Sequence, residues 1–102
     1  MQELVVLSKA LSDINRLKIV ALIQREKELC VCELSDTLAL AQPLISRHLK
    51  QLKAAKILNS KKAGKWTIYT LTSNPSALLS TYLKTLQQSQ ETLNSIKKCD
   101  AR

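Results

Sequence analysis

Residues that interrupt regular backbone structure are scarce along this chain. Its 102 residues include one glycine, Gly64, and two prolines, Pro43 and Pro75. Because glycine and proline are the strongest markers of turns and loops, so small a set predicts helical stretches joined by few tight turns. We therefore expect a mainly α-helical protein with one small β-hairpin.

The length predicts a single domain over residues 1–102. Phenylalanine is absent, so the core has to be built from leucine, isoleucine, valine and alanine. A domain this small buries a limited share of its surface. Association with a second copy would compensate for the thin core, and a dimer is expected.

Apolar spacing predicts two helices in the first third of the chain. The first covers about residues 4–11. Ser12 is expected to cap the second, because serine is a favoured residue at that position. The second helix should end near residues 26–28, and a brief extended segment should follow at 29–31.

The pattern over residues 32–55 is typical of a helix-turn-helix. A short helix is followed by a turn at 39–41 and a longer helix, in which Pro43 fits the first turn because no hydrogen bond is lost there. The longer helix has one apolar and one cationic face. The expected inward residues are Ile45, Leu49, Leu52 and Ala55, and the outward ones are Ser46, Arg47, Lys50 and Lys53.

Two strand-like segments, 57–62 and 66–71, flank the loop Ala63-Gly64-Lys65, where a hairpin needs positive φ. A basic hairpin directly after a helix-turn-helix predicts a wing over residues 57–71.

A last helix is predicted over about residues 75–98. Its apolar residues recur at heptad-like spacings, which favours a seam between two helices of a dimer. Packing against its own domain is the alternative. The seam residues are Leu79, Tyr82, Leu86, Leu93 and Ile96.

Positive charge is concentrated in the second half of the chain. The formal net charge is +8, and no acidic residue occurs between Asp36 and Glu91. A segregated basic block favours a nucleic acid as partner. The alternative is a solvated lysine face.

The start Met1-Gln2-Glu3 has no secretory pattern, and the longest apolar run, 19–23, is too short to span a bilayer. We expect a cytoplasmic protein without membrane contact. A structural disulfide is not expected in that compartment, which gives the three cysteines more weight as metal or redox groups.

Three motifs follow one another along the chain. They are Glu28-Leu29-Cys30-Val31-Cys32-Glu33-Leu34, then Gln42-Pro43-x-Ile45-Ser46-Arg47-His48-Leu49, then Gly64-Lys65-Trp66 before Tyr69-x-Leu71. Together they closely resemble arsenic-responsive repressors of the ArsR/SmtB family, over about residues 11–71. The resemblance implies a winged helix-turn-helix homodimer, joined through its first and last helices. It also implies binding to operator DNA and release by a toxic ion.

The fourth helix is expected to read DNA in the major groove. Candidates for base contacts are Gln42, Ser46, Arg47 and His48. Arg47 is the best candidate for guanine, because its planar fork can bond both acceptors of that base. Candidates for phosphate contacts are Lys50, Lys61, Lys62 and Lys65, so binding should depend strongly on salt.

Cys30 and Cys32 are the candidate ion site. Soft thiolates suit As(III), Sb(III), Cd(II), Pb(II) or Cu(I), and the start of a helix stabilises a thiolate. Residues two apart in a regular helix point about 200° away from each other, so the pair converges only if the segment is extended or unwound. The alternative is that these cysteines are small buried hydrophobic residues.

The third ligand is open. Arsenic-responsive members often carry a third cysteine where this chain has Ser35. Cys99, a small external thiol, or no third group at all could take that role, and Cys99 is also compatible with an exposed tail thiol. The ion, As(III) or Sb(III), would be an inducer, and no constitutive cofactor is expected.

Rival functions remain. A repressor of the same fold could respond to thiol oxidation or to Cd(II) or Pb(II), although cysteines two apart make a strained disulfide. A zinc site on the last helix is disfavoured, because residues 75–102 lack histidine. No cysteine has a plausible base beside it, so an enzyme is not expected. A metal-buffering protein would leave the charge segregation and the wing unexplained.

Overall fold

The computed structural model describes residues 1–89, which form five helices and three strands. In chain order these are α1 (Gln2–Ala10), α2 (Ile14–Glu26), β1 (Glu28–Cys30), α3 (Val31–Leu38), α4 (Gln42–Ala54), β2 (Leu58–Ala63), β3 (Trp66–Leu71) and α5 (Ala77–Gln88). The expected fold class, mainly helical with a small hairpin and a winged helix-turn-helix, is confirmed. The part of the predicted last helix beyond residue 89, with Leu93 and Ile96, lies outside the described residues.

The boundary between α1 and α2 differs from the prediction by one residue. Asp13, not Ser12, caps α2: its Oδ1 accepts the backbone N–H groups of Asn15 at 2.8 Å and Arg16 at 3.2 Å. Ser12 instead donates its hydroxyl to the Lys9 carbonyl, at the end of α1. The carboxylate wins because it accepts two of the amide groups that the helix start leaves unsatisfied. The backbone hydrogen bond from Arg16, helped by that from Asn15, lowers the pKa of Asp13 below its ordinary value of 3.8.

The strands form one antiparallel sheet in the order β1-β3-β2. The segment expected to be merely extended is a true strand, because β1 pairs with β3, with Cys30 opposite Ile68. The turn between β2 and β3 has two residues instead of three, since Ala63 pairs with Trp66. Gly64 has φ +63°, the positive value that the first central position of a type II′ hairpin turn requires.

The core lies between α2, α4 and the sheet. Ile19, Leu22 and Ile23 of α2 are fully buried together with three residues of α4, Ile45, Leu49 and Leu52. Ala55, predicted to face inward, is half-buried just after α4 ends. This packing fixes α4 on the body of the protein and leaves its opposite face exposed.

Among residues 1–89, three residues other than glycine have positive φ, each at the end of a helix or just after it. Lys27 (φ 78°) follows α2, Ala39 (φ 56°) follows α3, and Lys56 (φ 63°) follows α4. A left-handed residue commonly ends a helix, although glycine is the usual choice.

The described part of α5 packs against α2 of its own domain. Leu79 and Leu83 are buried, and Gln24 donates its side-chain N–H to the Leu83 carbonyl at 2.9 Å. Ser76 caps the helix by accepting the Leu79 N–H. Intradomain packing, the alternative for this helix, therefore accounts for these two leucines. Within residues 1–89, no helix combines the length and apolar content that crossing a membrane requires.

Candidate DNA-reading face and cysteine site

The exposed face of α4 carries the predicted base-reading residues. Gln42, Ser46, Arg47 and Lys50 are all exposed. Successive residues of a helix are about 100° apart, which places Arg47 and Lys50 opposite the buried stripe of Ile45, Leu49 and Leu52 and Ser46 beside them. Gln42 lies at the edge of that stripe, in the first turn of the helix. Pro43 occupies the first turn, as predicted. The face is therefore polar and cationic, and it projects from a helix fixed by a well-packed apolar side.

His48 does not belong to this face. Its side chain is 6% exposed, and its Nδ1 lies 3.4 Å from a terminal nitrogen of Arg16 in α2. Its position, three residues after Ile45 and one before Leu49, places it at the edge of the buried stripe. The prediction that His48 contacts a base therefore does not fit the structure, and the residue is a packing group with a polar partner.

The hairpin of β2 and β3 adds a second cationic surface. Lys61, Lys62 and Lys65 are exposed, and the Nζ of Lys65 lies 5.5 Å from the centre of the Trp66 ring. A lysine over an indole face is a cation–π contact. Trp66, directly after the turn, and Tyr69, in the middle of β3, are both half-buried.

Lys53 links the two cationic surfaces. Its Nζ donates to the Ser60 hydroxyl at 2.6 Å, so the last turn of α4 is joined to β2. Lys53 was predicted only as an outward residue, and nothing in the sequence indicated this contact, because it pairs residues seven apart across a turn.

The two cysteines lie at the junction between β1 and α3. Cys30 is the last residue of β1 and also the N-cap of α3, with extended backbone (φ −100°, ψ 169°). Cys32 is the second helical residue and is half-buried, with its Sγ 3.7 Å from Oδ2 of Asp36. The pair is therefore not on one regular helix, a condition that is necessary for convergence on one ion but does not by itself bring the two sulfur atoms together.

The two sulfur atoms are in different chemical states. Cys30 is a free thiol and is 1% exposed, whereas Cys32 is disulfide-bonded. The disulfide differs from the sequence expectation. It is the oxidised form of that sulfur, and a metal ion binds the reduced thiolate instead. Cys99, the third cysteine, lies outside the described residues.

Glu33 is a buried carboxylate beside the cysteines. It is fully buried, and its Oε1 accepts the backbone N–H of Cys30 at 3.2 Å. This is half of a capping box, the pairing of a helix's first cap residue with a glutamate three positions later. Sequence reasoning missed its role, although the spacing from Cys30 to Glu33 carried the signal. Among residues 1–89, no group of three or more histidine, cysteine, aspartate or glutamate side chains is arranged to hold a metal ion.

Solved structures and curated relatives point to one class. The fold is similar to that of reduced HlyU from Vibrio cholerae, with a TM-score of 0.74, 32% identity, and coverage of 86% of this chain and 88% of that one. The chain is 52% identical over 63 residues to an arsenic resistance transcriptional regulator of Pseudomonas putida, covering 62% of this chain and 49% of the relative. It is 48% identical over 65 residues to the arsenical resistance operon repressor of Escherichia coli, covering 64% and 56%. The aligned part thus spans about half the length of these two curated relatives.

The fold is that of winged helix-turn-helix transcriptional regulators, and the exposed face of α4 is cationic. Within that class, residues 13–60 match the family described as bacterial regulatory protein, arsR family. The chain belongs to this family.

Proposed function

We propose that the protein is a homodimeric transcriptional repressor that leaves its operator when As(III) or Sb(III) binds its cysteine thiolates. The observation that carries the proposal is the position of Cys30 and Cys32 at the start of α3, the helix that precedes α4 and packs against it. Two thiolates there would place a soft ion next to the DNA-reading element. The names of the two curated relatives, both concerned with arsenic resistance, support the same ligand class.

DNA binding would use two kinds of contact. Arg47, with Gln42 and Ser46, would read base edges from the exposed face of α4. Phosphates would be held by exposed lysines of α4 and the hairpin, which supply charge without reading sequence. These lysines are Lys50, Lys61, Lys62 and Lys65.

The ion would act by altering the start of α3. Cys30 has extended backbone, while Cys32 is already helical, so an ion held by both sulfur atoms would constrain the first turn of α3. The Glu33 hydrogen bond to the Cys30 N–H belongs to that same turn. A change there would reach α4 through the packing of α3 on α4. Ion and DNA would then weaken each other's binding by the same factor.

Dimerisation would use α1 and the last helix. Leu4 and Val5 of α1 are 50% and 64% exposed, and Ile14 at the start of α2 is 63% exposed. Large apolar side chains this exposed would be covered by a protein partner. A homodimer would place two α4 helices in successive major grooves, which predicts an inverted repeat in the operator. The working compartment would be the cytoplasm, where the DNA is.

The deciding experiment is fluorescence anisotropy on labelled DNA from the region upstream of the protein's own gene. The protein is first fully reduced, because Cys32 is disulfide-bonded in the structure. It is then titrated with arsenite, antimonite, Cd(II), Zn(II) and, separately, an oxidant. Arsenite or antimonite should release the wild type and leave Cys30→Ser and Cys32→Ser bound.

Cys99→Ser is the matched control, since it removes a thiol that this proposal does not require. We expect arsenite still to release Cys99→Ser from DNA, because this substitution should impair the response less than Cys30→Ser or Cys32→Ser does. A Cys99→Ser protein as unresponsive as Cys30→Ser would overturn the assignment of the pair as the principal ligands.

The disulfide at Cys32 favours a second candidate, a repressor that responds to thiol oxidation. Release by the oxidant alone, with reduced protein unaffected by every ion, would select this function. Release by Cd(II) without release by arsenite would select a divalent-ion sensor of the same fold.

A further inference from the structure

One guanidinium group connects three helices. Arg16, in the first turn of α2, donates from Nε to the Ala10 carbonyl at 2.6 Å and from Nη2 to the Lys9 carbonyl at 3.2 Å. Its Nη1 lies 3.4 Å from Nδ1 of His48 on α4. Arg16 therefore contacts the end of α1 and the buried side of α4 while itself belonging to α2.

The contact with His48 has a defined direction. A guanidinium group carries only donors, so Nδ1 of His48 can hydrogen-bond to Arg16 only as an acceptor, in the tautomer whose ring N–H is on Nε2. Hydrogen bonds weaken steeply when they are misaligned. The imidazole is 6% exposed, so few other orientations are open to it.

The rest of the buried side of α4 lacks such a directional contact. Its other buried residues are Ile45, Leu49 and Leu52, and apolar attraction depends on area and not on direction. The N-cap residue, Ala41, makes no side-chain hydrogen bond to the helix. Among the buried side chains of α4, His48 is thus the polar one that can fix rotation about the helix axis.

The side of α4 that faces α1 is packed less closely than the side that faces the core. A cleft of about 490 Å³ lies between them, lined by Val6, Ala10, Arg16, Gln51 and Ala54 among others. Side chains do not fill this space, so van der Waals contact restrains α4 less on this side than in the core. Arg16 bridges the two helices at the edge of the cleft.

We propose that Arg16 is a positioning residue for DNA recognition, which fixes the rotation of α4 through His48 and so aims Arg47 and Ser46. The inference rests on the proposed operator binding. His48 directly follows Arg47, and the directions of successive side chains are fixed at about 100° apart. Holding the imidazole therefore holds the base-reading side chains, although neither Arg16 nor His48 needs to touch DNA.

The test compares affinity for operator DNA with affinity for random-sequence DNA, by anisotropy at several salt concentrations. His48→Leu removes the acceptor while filling the buried site, and leaves both bonds from Arg16 to α1 in place. We expect it to lower the ratio of operator to random affinity about tenfold, an effect within the range of single recognition contacts. The salt slope should not change, because no phosphate contact is removed.

Three further variants separate positioning from general stability. Arg16→Met should lower the ratio about as much as His48→Leu, and the double variant should be no worse than either, because the two groups act as one unit. His48→Asn, whose side-chain oxygen can replace Nδ1 as acceptor, should stay within about threefold of the wild type. Lys18→Met removes an exposed positive charge from the same helix and should leave the ratio unchanged.

The outcomes are distinct. A wild type that does not prefer its operator overturns the proposed function, and this inference with it. If the wild type prefers its operator and His48→Leu has the same ratio of operator to random affinity, the positioning role alone is overturned. Additive losses in the double variant would also overturn it. If Arg16→Met fails to fold through loss of its bonds to α1, the comparison of His48→Leu with His48→Asn still decides.

Discussion

The faces of α4 are set by a periodic pattern of residues, whereas the points at which the other helices begin are set by individual hydrogen bonds. Along α4 the repeat of apolar and polar residues assigns each side chain to a face, and Ile45, Leu49 and Leu52 are buried while Arg47 and Lys50 are exposed. At the junctions, single hydrogen bonds decide where an element starts. A periodic face averages over many residues, whereas a cap depends on one side chain.

The largest expected effect separates the two faces of α4. Leu49→Ala should lower the free energy of unfolding by about 2–5 kcal/mol, because it leaves a cavity at a fully buried site. Lys50→Ala, at the next residue, should change that free energy by less than about 0.5 kcal/mol. Urea unfolding of both variants measures the difference. Equal losses would mean that the two faces are not distinct.

Arg47→Ala should have the next largest effect, on DNA and not on stability. Loss of a bidentate contact with guanine should weaken operator binding by about 1–3 kcal/mol and relax the preference for one base pair. Anisotropy on operators substituted one base pair at a time measures both. A uniform loss across all sequences would instead assign Arg47 to a phosphate.

The smallest effect concerns the cap at the α1–α2 junction. The pKa of Asp13 is lowered in the fold, so its contribution to stability is present above the unfolded value and is lost as the pH falls through the folded one. Asp13→Asn keeps a capping oxygen but should lose this part of the acid dependence. Melting temperatures between about pH 5 and pH 2.5 test it.

Ser12→Ala is the control for that prediction. The Ser12 hydroxyl bonds only to the end of α1, so its removal should leave the acid dependence of the wild type intact. If Ser12→Ala lost the acid dependence of the melting temperature as Asp13→Asn does, Ser12 and not Asp13 would be the capping residue.

The sequence was sufficient for features that depend on local pattern. The faces of α4, the position of Pro43 and the hairpin at Gly64 all follow from spacing and from the special geometry of two residue types. The strand β1 was not predicted as such, because three residues have too little periodicity, and their pairing with β3 joins segments about forty residues apart. The burial of His48 was missed for a related reason. Its partner, Arg16, lies 32 positions earlier in the chain.

The sequence was sufficient to identify the residues of the candidate cysteine site, but not their burial or their oxidation state. The pair Cys30 and Cys32 stands out in the sequence, and the need for a non-helical segment follows from helix geometry alone. That Cys30 is buried depends on its pairing opposite Ile68 in the sheet. Whether Cys32 is a thiol or a disulfide depends on oxidation, which residue spacing does not encode.

The scarcity of glycine leaves a margin for improving the protein by directed substitution. Lys27, Ala39 and Lys56 have a positive φ, which disfavours an L side chain by roughly 1–3 kcal/mol. Substitution by glycine would relieve that strain. Glycine also loses more conformational entropy on folding, which offsets roughly 0.5–1 kcal/mol of the gain in the free energy of unfolding. Each site is therefore a place where one exchange raises thermal tolerance slightly while leaving the exposed face of α4 and the cysteine junction untouched. Natural sequences commonly retain such unoptimised positions, since selection asks only for sufficient stability.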